Sequence, residues 1–141
     1  MNKTEKEQIL ESLRGCLQDK VQFALYFGSF GTDRFVVRNE SFDPSDIDLA
    51  VFLGREADFD EQMDMTFDIQ RSLSHAYETD VVFLDNADPI IKKQVMDNGT
   101  PFVMNDRDAW ISFKMKAINE YIDFKMDRRL IEEKLVERYT A

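Results

Sequence analysis

Apolar and polar residues alternate in two registers along this chain, and the switches between them mark out its elements. From Thr4 to about Asp19, apolar positions fall at Ile9, Leu13, Cys16 and Leu17, the spacing of one buried helix face. Thr4 with Glu7 fits a capping box at its start. Val21, Phe23, Leu25 and Phe27 then alternate with Gln22, Ala24 and Tyr26, a strand with one strongly apolar and one mixed face. It runs out at Gly28-Ser29. Phe30, Phe35, Val36 and Val37 fit a short helical turn, and Asn39, Ser41, Asp43 and Pro44 read as loop. A second strand spans roughly Ile47 to Leu53 and stops at Gly54.

The remaining pattern is helical with strands between. Phe59 to Tyr77 carries Phe59, Met63, Phe67, Ile69 or Gln70, and Leu73 near helical spacing, a helix packed across the sheet. Thr79 to Leu84 is rich in β-branched and aromatic residues and reads as a third strand. Asp88 as cap, Pro89 at the first helical position and Gly99 after the last turn bracket a helix over Pro89–Asn98. Thr100 to Met104 is a short edge strand. From Asp106 to about Arg138 one long helix follows, with Trp110, Phe113, Ala117, Tyr121, Phe124, Arg128 and Ile131 on one face. Met115, Ile118 and Ile122 add a second apolar patch, and the part beyond about Tyr121 exceeds what so small a sheet covers. The expected class is α+β, a short mixed central sheet flanked by helices. At 141 residues a single domain is expected, with a core over about 20–105 and the terminal helix over about 106–138.

Composition narrows the function. The formal net charge of −10 disfavours a general nucleic-acid binder, since phosphate backbones need a basic patch. It suits a metal-dependent site or a basic protein partner. Cys16 is the only cysteine, so there is neither a disulfide framework nor a zinc motif, and a reducing cytoplasm is the simpler compartment. No apolar run approaches membrane-spanning length, and the first residues show no signal-peptide core. His75, the only histidine, cannot make a metal site alone and fits the last turn of its helix. Cys16 fits the core, and the acidic run Glu56, Asp58, Asp60, Glu61 and Asp64 fits a solvated helix start.

The candidate chemistry lies between the first two strands. A glycine where the first strand ends lets a ligand approach the backbone, and Ser29 adds a small hydroxyl suited to phosphate. Asp46 and Asp48 flank Ile47, so strand alternation puts both carboxylates on one face while Ile47, Leu49 and Val51 point to the other. Two carboxylates beside a phosphate-friendly turn are what is needed to hold divalent metal on a nucleoside triphosphate.

A strand ending at Gly28-Ser29, then a polar link, then Ser45-Asp46-Ile47-Asp48-Leu49 leading into the next strand resembles the signature of the DNA polymerase β-like nucleotidyltransferase superfamily. The short chain is similar to its minimal members, which are often paired with HEPN-type ribonuclease toxins. The resemblance implies a polymerase β-like nucleotidyltransferase fold and a third acid early on a later strand, which Asp80 matches. It implies catalytic and metal-ligating roles for Asp46, Asp48 and Asp80, and terminal-phosphate binding by Gly28 and Ser29. It also implies Mg²⁺ or Mn²⁺ as cofactor, ATP as substrate and AMP transfer to a hydroxyl, a tyrosine of a cognate HEPN-type toxin, with this chain as the antitoxin. Two alternatives stay open: a nucleotidyltransferase-fold protein that neutralises its partner by binding alone, and a small-molecule nucleotidyltransferase. The oligomeric state, a homo-oligomer included, is also left open. The chain departs from the minimal pattern in one place. Sixteen residues, Phe30 to Ser45, separate Ser29 from Asp46, a longer link than usual, and the expected basic residue is displaced. Arg34 and Arg38 are the candidates to replace it at the nucleotide.

Overall fold

The computed structural model describes residues 2–37 and 44–140, without the side chains of the last two of these. Among the described residues the helices and strands follow in this order: α1 (Lys3–Leu17), β1 (Phe23–Phe27), β2 (Ile47–Phe52), α2 (Phe59–Ser72), β3 (Thr79–Phe83), α3 (Pro89–Asn98), β4 (Thr100–Met104) and α4 (Arg107–Thr140). The strands form one mixed sheet in the order β3-β2-β1-β4. β1 runs antiparallel to β2 and to β4, whereas β2 and β3 are parallel, so α2 is the crossover helix that joins them.

Both faces of the sheet are covered. Ile47, Leu49 and Val51 of β2 and Ala24 and Tyr26 of β1 meet Leu13 and Leu17 of α1 and Met65 and Ile69 of α2. On the opposite face Phe23, Leu25 and Ala50 pack with Val95 of α3 and Phe113 and Ala117 of α4. The face of β1 expected to be mixed is therefore buried as well, because α1 lies across Ala24 and Tyr26. Phe23 stacks on Phe52 at 4.8 Å and meets Trp110 edge-on at 4.9 Å, an aromatic cluster that seats α4. β4 is an edge strand as expected. Its register slips between Ala24 and Leu25, where Pro101 stands opposite, the placement a residue without an N–H tolerates.

Element ends follow local chemistry. α1 starts two residues earlier than expected: Asn2, not Thr4, is the cap, and Glu5 completes the box. α2 ends at Ser72, short of Tyr77, because Ser74 and His75 take left-handed conformations (φ 53° and 55°). His75 thus lies past the helix rather than on its last turn. Asp88, Pro89 and Gly99 bound α3 as the sequence predicts. The segment from Phe30 to Val37 is a series of turns, not a helical turn, with Thr32 N donating to Ser29 O (2.9 Å) and Phe35 N to Thr32 O (3.2 Å). Its side chains still serve the core: Phe30, Phe35 and Val37 are buried, and Phe30 stands edge-on to Tyr26 and Phe35. The expected loop residues Asn39, Ser41 and Asp43 lie outside the described residues. Asp85 accepts from the amides of Leu53 and Gly54, both at 2.9 Å, and ties the end of β2 to the 3-10 turn after β3. Among the described residues, no helix is long and apolar enough to cross a membrane.

Thr79 is the one buried polar residue of the core among the described residues, and its Oγ1 has no hydrogen-bond partner there. Burying an unpaired hydroxyl costs free energy that an isosteric methyl does not. Thr79→Val is expected to raise the urea midpoint, or leave it unchanged, with a gain of up to about 1 kcal/mol at equilibrium.

Candidate nucleotidyltransferase site

The site forms where β1 ends and β2 and β3 begin. Phe27 stands opposite Asp48 in the antiparallel pair, and Asp48 stands opposite Asp80 in the parallel pair. Strand alternation turns Asp48 and Asp80 to the face that carries α3 and α4, the same face as Phe27 and Val82. Ile47 and Thr79, the neighbours on the ladder, point the other way and are buried. The apolar residues between the acids thus anchor the strands while the acids stay at the sheet's end.

Gly28 is required by two constraints at once. Its φ of +69° lies in the left-handed region, and a Cβ there would fall 2.1 Å from Asp48 Oδ2. The turn that follows is locked at Ser29, whose carbonyl accepts from Thr32 N at 2.9 Å and from Thr32 Oγ1 at 2.6 Å. Thr32 Oγ1 accepts in turn from Arg34 N at 3.2 Å, so the hydroxyl of Thr32 shapes the turn. Sequence reading passed over Thr32; its signal was a hydroxyl residue three positions after Ser29, the spacing of a side chain that closes a tight turn.

The acids repel one another. Burial first, then Asp80 and Asp46, push the Asp48 carboxyl above its ordinary value, and a hydrogen bond with Asp80 adds to the rise. Asp46 sits one residue ahead of β2, exposed, and acts on Asp48 through its charge. Asp80 is exposed as the second residue of β3, and Ser29 is half-buried. As the side chains stand, no three acids, histidines or cysteines among the described residues close on one point tightly enough to grip an ion. The fit is electrostatic and chemical: an all-oxygen set that crowds negative charge suits a hard divalent cation such as Mg²⁺ or Mn²⁺.

Arg34 is exposed and lines a cavity of about 580 Å³ together with Gly28, Phe27, Val82 and one face of α3. A guanidinium and a glycine turn at the mouth of such a space can receive phosphate oxygens. Arg38 lies outside the described residues. Cys16 is half-buried against the α1 core, with burial raising its thiol pKa, and His75 is exposed. Within the acidic run, Asp58 caps α2 by accepting from Glu61 N at 2.9 Å.

A glycine turn against a strand aspartate, with a second aspartate across a parallel ladder, is the layout of an enzyme class that handles polyphosphate esters. Over residues 7–108 the chain matches the family described as "Polymerase beta, Nucleotidyltransferase", and it belongs to that family. Comparison with curated protein sequences gives no match. Among solved structures, the fold is similar to a chain of the MntA–HepT toxin–antitoxin complex (TM-score 0.66, 21% identity, 96% of this chain and 99% of that one). It is also similar to a chain in the complex of tri-AMPylated Shewanella oneidensis HEPN toxin with MNT antitoxin (TM-score 0.67, 22% identity, 96% and 99%). A toxin–antitoxin structure with AMP-PNP gives a TM-score of 0.67 at 22% identity, covering 93% of this chain and 98% of that one. The four-stranded mixed sheet, its flanking helices and the long terminal helix are common to this fold.

Two outcomes are expected at the site. In the fold the Asp48 carboxyl holds its proton to higher pH than in the unfolded chain, so its ionisation subtracts stability as pH rises through the folded value. In EDTA, Asp48→Asn should therefore melt higher than wild type at pH 7, and the gap should close as pH falls to about 4. Gly28→Ala should lower stability by roughly 1–3 kcal/mol, from left-handed strain alone, in equilibrium denaturation.

Proposed function

We propose that this protein is a metal-dependent nucleotidyltransferase that moves AMP from ATP to a hydroxyl of a HEPN-type toxin, and so acts as its antitoxin. The observation that carries the reading is the register of Gly28, Asp48 and Asp80, joined to membership of the nucleotidyltransferase family. In this reading the Gly28-Ser29 turn and Arg34 bind the polyphosphate. Asp46 and Asp48 hold a divalent cation on the triphosphate, and Asp80 shares a second one. When bound, the cations supply charge neutralisation on the reacting phosphates. Asp80 takes the proton of the attacking hydroxyl. The hydroxyl oxygen bonds to the α-phosphorus, the bond from that phosphorus to the bridging oxygen breaks, and pyrophosphate leaves. In this reading the acceptor is a tyrosine hydroxyl; the HEPN toxin in the similar complex with MNT antitoxin is tri-AMPylated, which supports AMP transfer to such a partner.

A second reading, neutralisation by binding alone, has one observation in its favour. α4 extends well past the sheet and exposes Phe124, Met126, Leu130, Ile131, Leu135 and Val136. A docking role needs no crowded acids, however, and the strain of holding Asp48 beside Asp80 speaks for catalysis.

Intact-mass spectrometry of the partner separates the two. Wild type with Mg-ATP is expected to add AMP to the toxin, which stays inactive after the antitoxin is removed. The Asp46→Asn/Asp48→Asn protein should slow transfer by roughly a thousandfold or more, while Ser29→Ala should lose about tenfold to a hundredfold. A toxin that is inhibited equally by wild type and double variant, with no gain in mass, would establish sequestration instead.

A further inference from the structure

We infer that the cavity beside Gly28 is the nucleoside pocket, and that Gln94 and Asn98 of α3 read the base and select adenine over guanine. The inference rests on the nucleotidyltransferase reading of the acids and adds to it a recognition site on another element. Position argues first. The cavity opens on the sheet face that carries Asp48 and Asp80, and Val82, two residues along from Asp80, forms part of its wall. Gly28 and Arg34 line it too, so whatever fills it is continuous with the phosphates they receive. An acceptor hydroxyl approaches the α-phosphorus from the side away from the leaving group and has no reason to share those contacts. A volume of about 580 Å³ lies within the range of small-molecule sites.

Wall chemistry argues second. Ile91, Gln94 and Asn98 stand at positions i, i+3 and i+7 of α3 and share one helical face, which lines the cavity. Ile91 is 37% exposed although apolar, and with Val82 it gives the cavity apolar surface on which a flat ring can rest. The Gln94 carboxamide has no partner among the described residues. Asn98 donates one Nδ2 hydrogen to the Gln94 backbone carbonyl at 3.1 Å, which orients its amide and leaves Oδ1 and the second N–H available. An oriented acceptor with a donor beside it favours adenine, which offers an amine next to a ring-nitrogen acceptor, over guanine, which offers only the acceptors O6 and N7 there. Gln94, with a donor and an acceptor, pairs with the ring nitrogen and amine beside it.

Calorimetry tests this with AMP-PNP and its guanine counterpart in the presence of Mg²⁺, on the full chain. Wild type should prefer the adenine compound. Gln94→Ala and Asn98→Ala should each weaken it about tenfold, while Asn98→Ala leaves the guanine compound unchanged or tighter. Both positions are exposed, and melting curves check that the variants fold. Unchanged affinities for both compounds in both variants would overturn the inference, even where wild type modifies its partner and the transferase reading stands. A raised KM for the partner alone would overturn it too, by giving the cavity to the acceptor. Lost base preference in variants of a protein that transfers no AMP would support the pocket and refute the transferase. Wild type that binds neither compound would refute both.

Discussion

Two carboxylates held face to face across a parallel ladder, with a glycine pressed against one of them, are the constraint around which this fold is arranged. Like charges at that separation are unfavourable in any fold that could let them part. Here they cannot part, because the ladder positions beside them, Ile47 and Thr79, are buried on the opposite face. The apolar face of each strand sets the position of the polar one. Asp85 reinforces this from the far end by holding the close of β2 to the turn after β3. The buried core thus stabilises an arrangement that its own electrostatics oppose.

The same logic explains why the site sits at one end of the sheet. At the centre the sheet is covered on both faces, by α1 and α2 on one side and by α3 and α4 on the other. Only where β1 runs out into the Gly28 turn does the covering thin, leaving Asp80 exposed and Asp48 half-buried. The turn then stays open because the Ser29 carbonyl is closed inward by Thr32.

Much of this was legible in the sequence, and the reasons differ by element. The α3 boundaries were readable because Asp88, Pro89 and Gly99 each act locally, through hydrogen bonding or fixed dihedrals. The shared face of the acids followed from the two-residue strand period. The start of α1 was misjudged because Asn2 with Glu5 and Thr4 with Glu7 offer the same capping-box spacing, and the chain closes the earlier box. The end of α2 was misjudged because Ser74 and His75 adopt left-handed conformations that neither residue type advertises. The opposition of Asp48 and Asp80 could not be read, since parallel register depends on how α2 crosses the sheet. Gln94 and Asn98 were invisible for the same reason: helical spacing puts them on one face, but not beside Gly28.

α4 lives under two regimes along one continuous helix. Its first turns are held by the aromatic cluster of Phe23, Phe52, Trp110 and Phe113. From Ile122 to Arg138 its side chains are exposed, and the internal ties there include the ion pairs Arg128–Glu132 and Arg129–Glu133. Each such pair contributes only about 0.3–0.5 kcal/mol, and a helix segment of this length without tertiary contact is marginal in water. The distal half therefore borrows its order from the proximal half by propagation, turn upon turn. Loosening the aromatic seat would shorten the rod from its root, so the packing of Phe23 governs how far from the sheet a straight helix persists.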